Sequence, residues 1–448
     1  MKTNIFSSAK RFSGRDKDNM WTTVFIVYID DISDICQAGL LPLHMQFWQY
    51  IFIISCAVIF YNYAGYAILA AALNTFMRTK DRPDPNSPVT PRVSFIVAAF
   101  NEGAIIREKI LNSLDQDYPT DNIEFLFITD GSTDDTPGIV SAYPSIRLLH
   151  ESQRRGKSAA VNRAVNAAAG DILIFSDANT MLNKEAVRLI AHHYRDPKVG
   201  GVAGEKKVLP VPTKGTPQSG DDSPGAGEGM YWKYESKLKQ IDSDFYSVVG
   251  AAGELFSLRR GLYEPLPHNT ILDDFVLSLR AAQKGYRIIY ERDAYATELP
   301  SFSMQDEKKR KVRIAAGGFQ SIVMLWPLLL FWRHPRLSFL YVSHRVLRWT
   351  LSPLCLILAL VANIVLALTF DSQLFTTILI LHLAFYGLAI LSLAPAVAKG
   401  KLGKICKIPY YFVFMNVSVI LGFFRWLKGS QSAVWEKARR AETGIATK

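Results

Sequence analysis

Residues 93–136 read VSFIVAAFNEGAIIREKILNSLDQDYPTDNIEFLFITDGSTDDT. Two unbroken apolar runs, Val93–Ala98 and Ile123–Thr129, enclose a segment from Ala104 to Asp115 with apolar residues at helical spacing. A strand apolar on both faces belongs inside a parallel sheet covered by helices, because a sheet with one wet face would alternate. The pattern continues outward with a helical stretch from Asp134 to Tyr143, a short strand from Ile146 to His150, a helix from Lys157 to Ala169 and a strand from Ile172 to Ser176. An α/β domain with a mostly parallel, Rossmann-like sheet is expected. Ligands of such sheets sit beyond the carboxyl ends of the strands. The polar residues fall there: Asn101 and Glu102 after the first strand, Asp130 after the second, Asp177 after the fourth.

Outside this domain the composition changes. The 448 residues are 49% hydrophobic and 12% aromatic, yet 20% are charged, which suits a soluble domain joined to membrane helices. Met45–Met77 has no charged side chain and is long enough for about 30 Å of hydrocarbon. Trp349–Phe370 is also uncharged, Ser372–Ala398 carries only His382, and Ile408–Phe424 would just span. The first run starts too far from the N-terminus, and is too long, for a signal peptide, so it reads as an anchor. The four cysteines (Cys36, Cys56, Cys355, Cys406) have no paired or metal-binding spacing, as expected of a reduced cytoplasmic domain.

The net charge of +11 does not point to nucleic acid. Its cations gather beside the apolar runs, at Arg78, Lys80 and Arg82, at Lys308–Arg313, at Arg333 and Arg336, and at Lys399–Lys407. That is the distribution of a cytoplasmic face meeting anionic lipid. A fully crossing fourth run would place the basic tail outside, against this distribution.

Four motifs carry candidate chemistry. Asp177 and Asn179 of FSDANTML stand two apart just past a strand, suited to a hard divalent cation, Mg2+ or Mn2+, that also takes phosphate oxygens. Asp130 of ITDGSTDDT could accept from a base N–H, while Asp134 caps the next helix. Lys157 of RRGKSAAVN opens a helix where backbone N–H groups and an ammonium can meet phosphate. Asp273 and Asp274 of TILDDF open another helix, where acidic residues also satisfy the helix dipole.

In order and spacing, VAAFNE, TDGSTDDT, RGKSAAVN, SDAN, GAAGELFSLRR and LDDF resemble the family-2 glycosyltransferases, in particular the membrane branch of cellulose, hyaluronan and poly-N-acetylglucosamine synthases. The resemblance runs from about Val93 to Gly317. It implies a GT-A fold, a UDP-sugar donor, Mg2+ or Mn2+ and inversion at the anomeric carbon. Asn101, Glu102, Asp130 and Lys157 would line the nucleotide site, Asp177 and Asn179 would match the metal-binding DxD, and Asp274, beside Asp273, would be the general base. Gly250–Arg260 would form part of the acceptor side. Two departures stand out. Asn179 replaces the second Asp of DxD, and the QxxRW signature reads as Arg310, Arg313 and Ile314. Arg313 would brace the diphosphate, while the lost Trp puts processive polymerisation in question.

The expected organisation is an N-terminal segment (1–44), a transmembrane helix (45–77), a cytoplasmic GT-A domain (78–316), an amphipathic interface helix (317–336), a membrane region of about three helices (337–427) and a basic tail (428–448). Pro210–Glu228, rich in Gly, Pro and Ser, reads as a loop beside the site, suited to a lid. The expected partners are a nucleotide-sugar donor, a polysaccharide or lipid-linked acceptor and membrane lipids. The alternatives are a processive synthase that secretes its product and a catalytically inactive membrane sugar-binding or transport protein.

Overall fold

The computed structural model describes residues 41–79, 90–209, 226–299, 303–370, 372–394 and 401–429. Most of the Pro-rich linker and residues 210–225 of the expected lid lie outside the described residues. The chain separates into two units, residues 1–56 with 357–380 and residues 57–356 with 381–448. Within the first, the described segments are apolar helix, and Phe52 meets Phe375 edge to face.

The second unit holds an eight-stranded sheet. Its strands are β1 (Val93–Ala99), β2 (Ile123–Asp130), β3 (Ile146–Glu151), β4 (Ile172–Asp177), β5 (Met181–Leu182), β6 (Val199–Val208), β7 (Leu255–Arg259) and β8 (Arg287–Glu298). They lie in the order β3-β2-β1-β4-β7-β6-β8-β5. The first four are parallel, as the apolar runs predict; β7 is antiparallel to both β4 and β6, and β5 to β8. All seven residues of β1 are buried, because the sheet is covered on both faces. On one face Phe95 and Val97 pack with Ile106 and Ile110 of α1 (Ile106–Leu114) and with Val187 and Ile190 of α2 (Ala186–His193). On the other, Ile96 and Ile128 pack against Ala160, Val161 and Ala164 of α3 (Lys157–Ala167). Each fully buried Ile or Phe contributes about 1.5–3 kcal/mol. The order reverses at β1, which pairs with β2 on one side and β4 on the other, so the crevice at their carboxyl ends is the natural ligand site.

Four helices are long and apolar enough to cross a membrane: Met45–Met77, Leu351–Thr369, Gln373–Leu391 and Ile405–Leu427. The first, at 33 residues, measures roughly 50 Å at 1.5 Å per residue, more than the bilayer core requires. Its last turns pack on soluble elements. Asn74 Nδ2 donates to the Ile241 carbonyl, and Tyr66 Oη donates to Asp242 on α4 (Ala226–Phe245). Asp242 also holds His344 Nδ1 at 2.6 Å, and Glu235 takes Arg345 at 2.9 Å and Arg348 at 2.5 Å.

The interface helix expected over 317–336 is not one element. A single helix, α5, runs Met304–Met324 across the expected domain boundary. Its start is set by Ser303, whose hydroxyl caps the Asp306 N–H, with Asp306 and Glu307 in the first turn. Its end falls before Pro327, and a short 3-10 turn, Trp326–Leu329, follows. The small residues of its middle allow close approach from three sides. A β-carbon on Gly317 would fall 2.7 Å from Ile271, one on Gly318 would fall 2.8 Å from Trp349, and one on Gly422 would fall 2.5 Å from Ala315. Phe319 stacks against Trp426 and meets Phe423 at a tilt, both on the helix Lys401–Leu427.

Candidate active site

At the edge formed by β1, β2 and β4, Asn101 takes a left-handed conformation, φ 54°, the only non-glycine to do so among the described residues. Its Oδ1 accepts from the Thr133 N–H at 2.7 Å and its own N–H donates to Ser132. The buried Glu102 donates its N–H to the Thr136 hydroxyl, and Asp134 accepts from the N–H groups of Gly103 and Thr136. NEG and GSTDDT are therefore laced together by Asp134, while the N-cap of the helix Thr136–Ser141 falls on Asp135, one residue beyond the expected cap, and makes no side-chain cap bond.

Asp130 is almost fully buried and its acceptors are used internally. Oδ2 receives the N–H groups of Arg155 (2.9 Å) and Gly156 (2.7 Å), while Oδ1 meets the Arg163 guanidinium. The carboxylate thus shapes the RGK turn, whose Gly156 needs φ 94° before α3 begins. A narrow cleft lies between Ala98, Phe100, Asp130, Arg154 and Lys157. The Arg154 guanidinium lies 3.6 Å from the centre of the Phe100 ring and covers it.

Lys157 Nζ contacts Asp177 Oδ1 at 2.7 Å. Burial alone would disfavour the ammonium, but Asp177, Asp273 and Asp274 together raise its pKa well above the lysine value. Burial likewise holds the Asp177 carboxyl above its ordinary value, in spite of Lys157. Asn179 Nδ2 reaches Glu298 at 3.4 Å, so its oxygen is the atom that can ligate. Under this turn lies Lys109, fully buried, donating to Ser176 Oγ at 2.7 Å and the Thr180 carbonyl at 2.8 Å. Burial pulls Lys109 down to about 7, against the pull of Asp177.

The opposite wall comes from GAAGEL and LDDF. Asp273 and Asp274 begin α6 (Asp273–Gln283), and Gln320 of α5 fastens the preceding loop by accepting from the Ile271 N–H and donating to the Asn269 carbonyl. Gly250, φ 81°, brings GAAGEL onto α6 so closely that a β-carbon there would sit 2.0 Å from the Phe275 ring. Ala251 N–H donates to Ser278 Oγ. Gly253 marks the meeting point. A β-carbon on it would lie 3.1 Å from Lys157 Nζ, 3.5 Å from Asp274 Oδ2 and 3.8 Å from Asp177 Oδ2. Burial, and then the charge of Asp273, push the Asp274 carboxyl up to about 8, with Lys157 pulling the other way.

Next to it, Lys206 joins Glu254 (2.6 Å) to Glu298, and Arg310 of α5 reaches Glu298 at 3.9 Å and Glu307 at 3.1 Å. Lys206 holds the Glu254 carboxyl well below its usual range, although burial opposes this. Arg313 is half-buried on the same helix.

Among the described residues no group of three His, Cys, Asp or Glu side chains converges as a metal cage. One carboxylate (Asp177) and one amide oxygen (Asn179) fit a Mg2+ or Mn2+ ion that draws its other ligands from phosphate and water.

Residues 94–266 match the family model described as glycosyl transferase family 2. The chain carries a family-2 glycosyltransferase domain. Two curated relatives agree with it. An N-acetylglucosaminyltransferase of Azorhizobium caulinodans is 26% identical over 254 residues, 53% of this chain and 62% of the relative. A poly-beta-1,6-N-acetyl-D-glucosamine synthase of Staphylococcus aureus is 24% identical over 255 residues, 54% of this chain and 58% of the relative. This chain thus spans about 60% of the length of either. A mannosyltransferase of Pyrobaculum calidifontis, solved with GDP-Man and Mn2+, shares the fold with a TM-score of 0.63 at 22% identity, covering 86% of this chain and 99% of that one. The GT-A architecture expected from the sequence is therefore the observed one.

The structure gathers Lys157, Asp177 and Asp274 around Gly253, with Asp273 adjacent and Asn179 two residues beyond Asp177. Asn101 and Asp130 instead make loop-shaping bonds at the same edge. Reading the sequence alone did not single out Lys109, Phe100 or Arg154. The signal for Lys109 was present: it stands with Ile106, Ile110 and Ser113 on the buried stripe of α1, where a lysine is out of place.

Proposed function

We propose that the protein transfers a sugar from a nucleoside-diphosphate sugar, a UDP-sugar by preference, to a hydroxyl of a polysaccharide or lipid-linked acceptor at the cytoplasmic face of a membrane. The observation that carries this reading is the convergence of Asp274, Lys157 and Asp177 on Gly253, a base facing a cation and a metal-binding carboxylate. In the proposed step the acceptor oxygen bonds to the anomeric carbon as the bond from that carbon to the diphosphate oxygen breaks. Asp274 takes the hydroxyl proton. Lys157, with Arg313 as a brace, meets the negative charge growing on the leaving diphosphate. One displacement inverts the anomeric centre. Asp177 and Asn179 would hold Mg2+ or Mn2+, which supplies positive charge to the diphosphate. Asn101, Glu102 and Asp130 border the nucleotide, with Asp130 acting through the RGK turn that it shapes.

The four apolar helices and their basic flanks support a multi-pass membrane protein with residues 78–335 cytoplasmic. Beyond Met324, Trp326, Phe331 and Trp332 are exposed beside Arg333 and Arg336, a composition suited to the lipid headgroup zone. Membranes containing the chain, incubated with a panel of radiolabelled UDP- and GDP-sugars and Mn2+, test the reading. The relatives' N-acetylglucosamine makes the nucleotide-activated form of that sugar the first donor to try. Label entering lipid or polymer in the parent, and not in Asp274→Asn, is the expected result. No incorporation from any donor would overturn it.

A further inference from the structure

The geometry points to Lys109 as a positioning residue that holds the Ser176–Thr180 turn, and with it Asp177 and Asn179, in register with the Gly253–Glu254 backbone. The inference rests on the donor-site reading above and extends it to a side chain that touches no substrate. Lys109 Nζ donates to Ser176 Oγ (2.7 Å) and to the Thr180 carbonyl (2.8 Å), so one ammonium closes both ends of the turn that carries the two proposed metal ligands. The hydroxyls of the two residues it bonds point onward. Ser176 Oγ reaches the Glu254 carbonyl at 3.1 Å, and Thr180 Oγ1 reaches the Asp177 carbonyl at 3.0 Å and the Glu254 carbonyl at 3.4 Å. Glu254 follows Gly253, the residue against which Asp274, Lys157 and Asp177 converge. Lys109 therefore lies at the root of a short network that fixes the spacing between the leaving-group side and the base side.

The choice of a lysine needs an explanation. Its side chain is 0% exposed and its ammonium has neutral oxygens as hydrogen-bond partners, with the Phe95 ring 5.7 Å away. Burying a cation in this way is costly, and a methionine would fill the space without that cost. What the methionine lacks is the two donors that close the turn. A turn left open would allow Asp177 and Asn179 to move apart, and a divalent ion bound by only two protein groups is sensitive to their spacing.

The test is calorimetric binding of UDP, with GDP as a second arm, to the purified full chain at fixed Mn2+, alongside thermal unfolding. Lys109→Met is expected to weaken Mn2+-dependent nucleotide binding at least tenfold. Ile190→Ala, a cavity in the same core layer, should lower the unfolding temperature and leave binding at the parent value. Ser176→Ala should lose at least threefold, and the loss in the double variant should fall short of the product of the two single losses, because the two side chains share the Lys109–Ser176 bond. Parent-like affinity in Lys109→Met, whatever its unfolding temperature, would show that Lys109 only fills the core. Should that variant fail to fold, Ser176→Ala decides: a loss supports the inference and parent-like affinity overturns it. A parent chain that binds neither nucleotide would instead defeat the donor-site reading, and this inference with it.

Discussion

Lys157 Nζ lies 2.7 Å from Asp177 Oδ1, so the carboxylate proposed to hold a cation is already paired with one. A divalent ion and the lysine therefore compete for the same oxygen until a diphosphate arrives to accept the ammonium. Lys157→Met is expected to tighten Mn2+ binding in the absence of nucleotide, yet to lower turnover at least tenfold, about 1.4 kcal/mol of transition-state stabilisation. Asp177→Ala should lose metal dependence and nucleotide affinity together. Calorimetry with Mn2+ alone, beside steady-state rates, separates the two effects; unchanged rates in Lys157→Met would remove it from the mechanism.

The second prediction concerns pH. Asp274 must be ionised to accept a proton, and burial with Asp273 pushes it up to about 8. Activity should rise with pH, with a midpoint well above the ordinary carboxylate range, and Asp273→Asn should move that midpoint down by removing a like charge. Asp274→Asn should abolish transfer while nucleotide binding survives. Stability carries the opposite sign. Between the unfolded value near 4 and the folded value near 8 the native chain holds the extra proton, so stability is greatest at the acid end of that window and falls as pH rises through it. Asp274→Asn should flatten that fall, as measured by unfolding temperature against pH. A rate profile with its midpoint near 4 would contradict the assignment.

The centre of the sheet was legible because β1, the second half of β2 and most of β4 are buried, which writes continuous apolar runs into the sequence. The strands after β4 were not. β6 carries Gly200, Gly201 and Gly204, poor strand formers, and they are required by contacts from distant residues: Tyr286, the Ser257 carbonyl and Leu255. The same reason hid the true extent of α5. Its AAGG segment looks like a helix end, but Ile271, Trp349 and Gly422 need the room it leaves. Asp177, Asp273 and Asp274 could be found as carboxylates at element ends. Lys109 could not be assigned to the site, because its relation to Ser176 and Thr180 is purely tertiary.

A third prediction follows from Gly250. Its φ of 81° and the Phe275 ring leave no place for a side chain. Gly250→Ala should cost about 1–3 kcal/mol through backbone strain and overpacking. Phe275 follows Asp274, so the displacement should lower kcat more than nucleotide affinity. Equal, small changes in both would mean that the loop adjusts without moving α6.

Topology gives a fourth. With the native cysteines replaced, Ser219→Cys should resist a membrane-impermeant thiol reagent in intact cells and react once the membrane is opened. Labelling from outside would reverse the orientation proposed for residues 78–335.

The last prediction concerns Arg313, where the chain departs from the signature of the processive synthases. The basic stretch Lys308–Arg313 is not uniform. Lys308 and Lys309 are exposed, Arg310 is tied to Glu307 and Glu298, and Lys311 is tied to Glu307. Any contact with lipid headgroups would fall first to the two exposed lysines, whereas Arg313 is half-buried, two residues before the buried Ala315. A guanidinium offers two parallel donors to a pair of phosphate oxygens, which an ammonium does not. As a diphosphate brace, Arg313→Lys should reduce turnover at least tenfold, about 1.4 kcal/mol, with the chain still folded and inserted. As a headgroup contact it should behave like Lys309→Ala, because charge alone would matter there. Steady-state rates for the two variants in the same membranes decide: equal, small losses would remove Arg313 from the donor site.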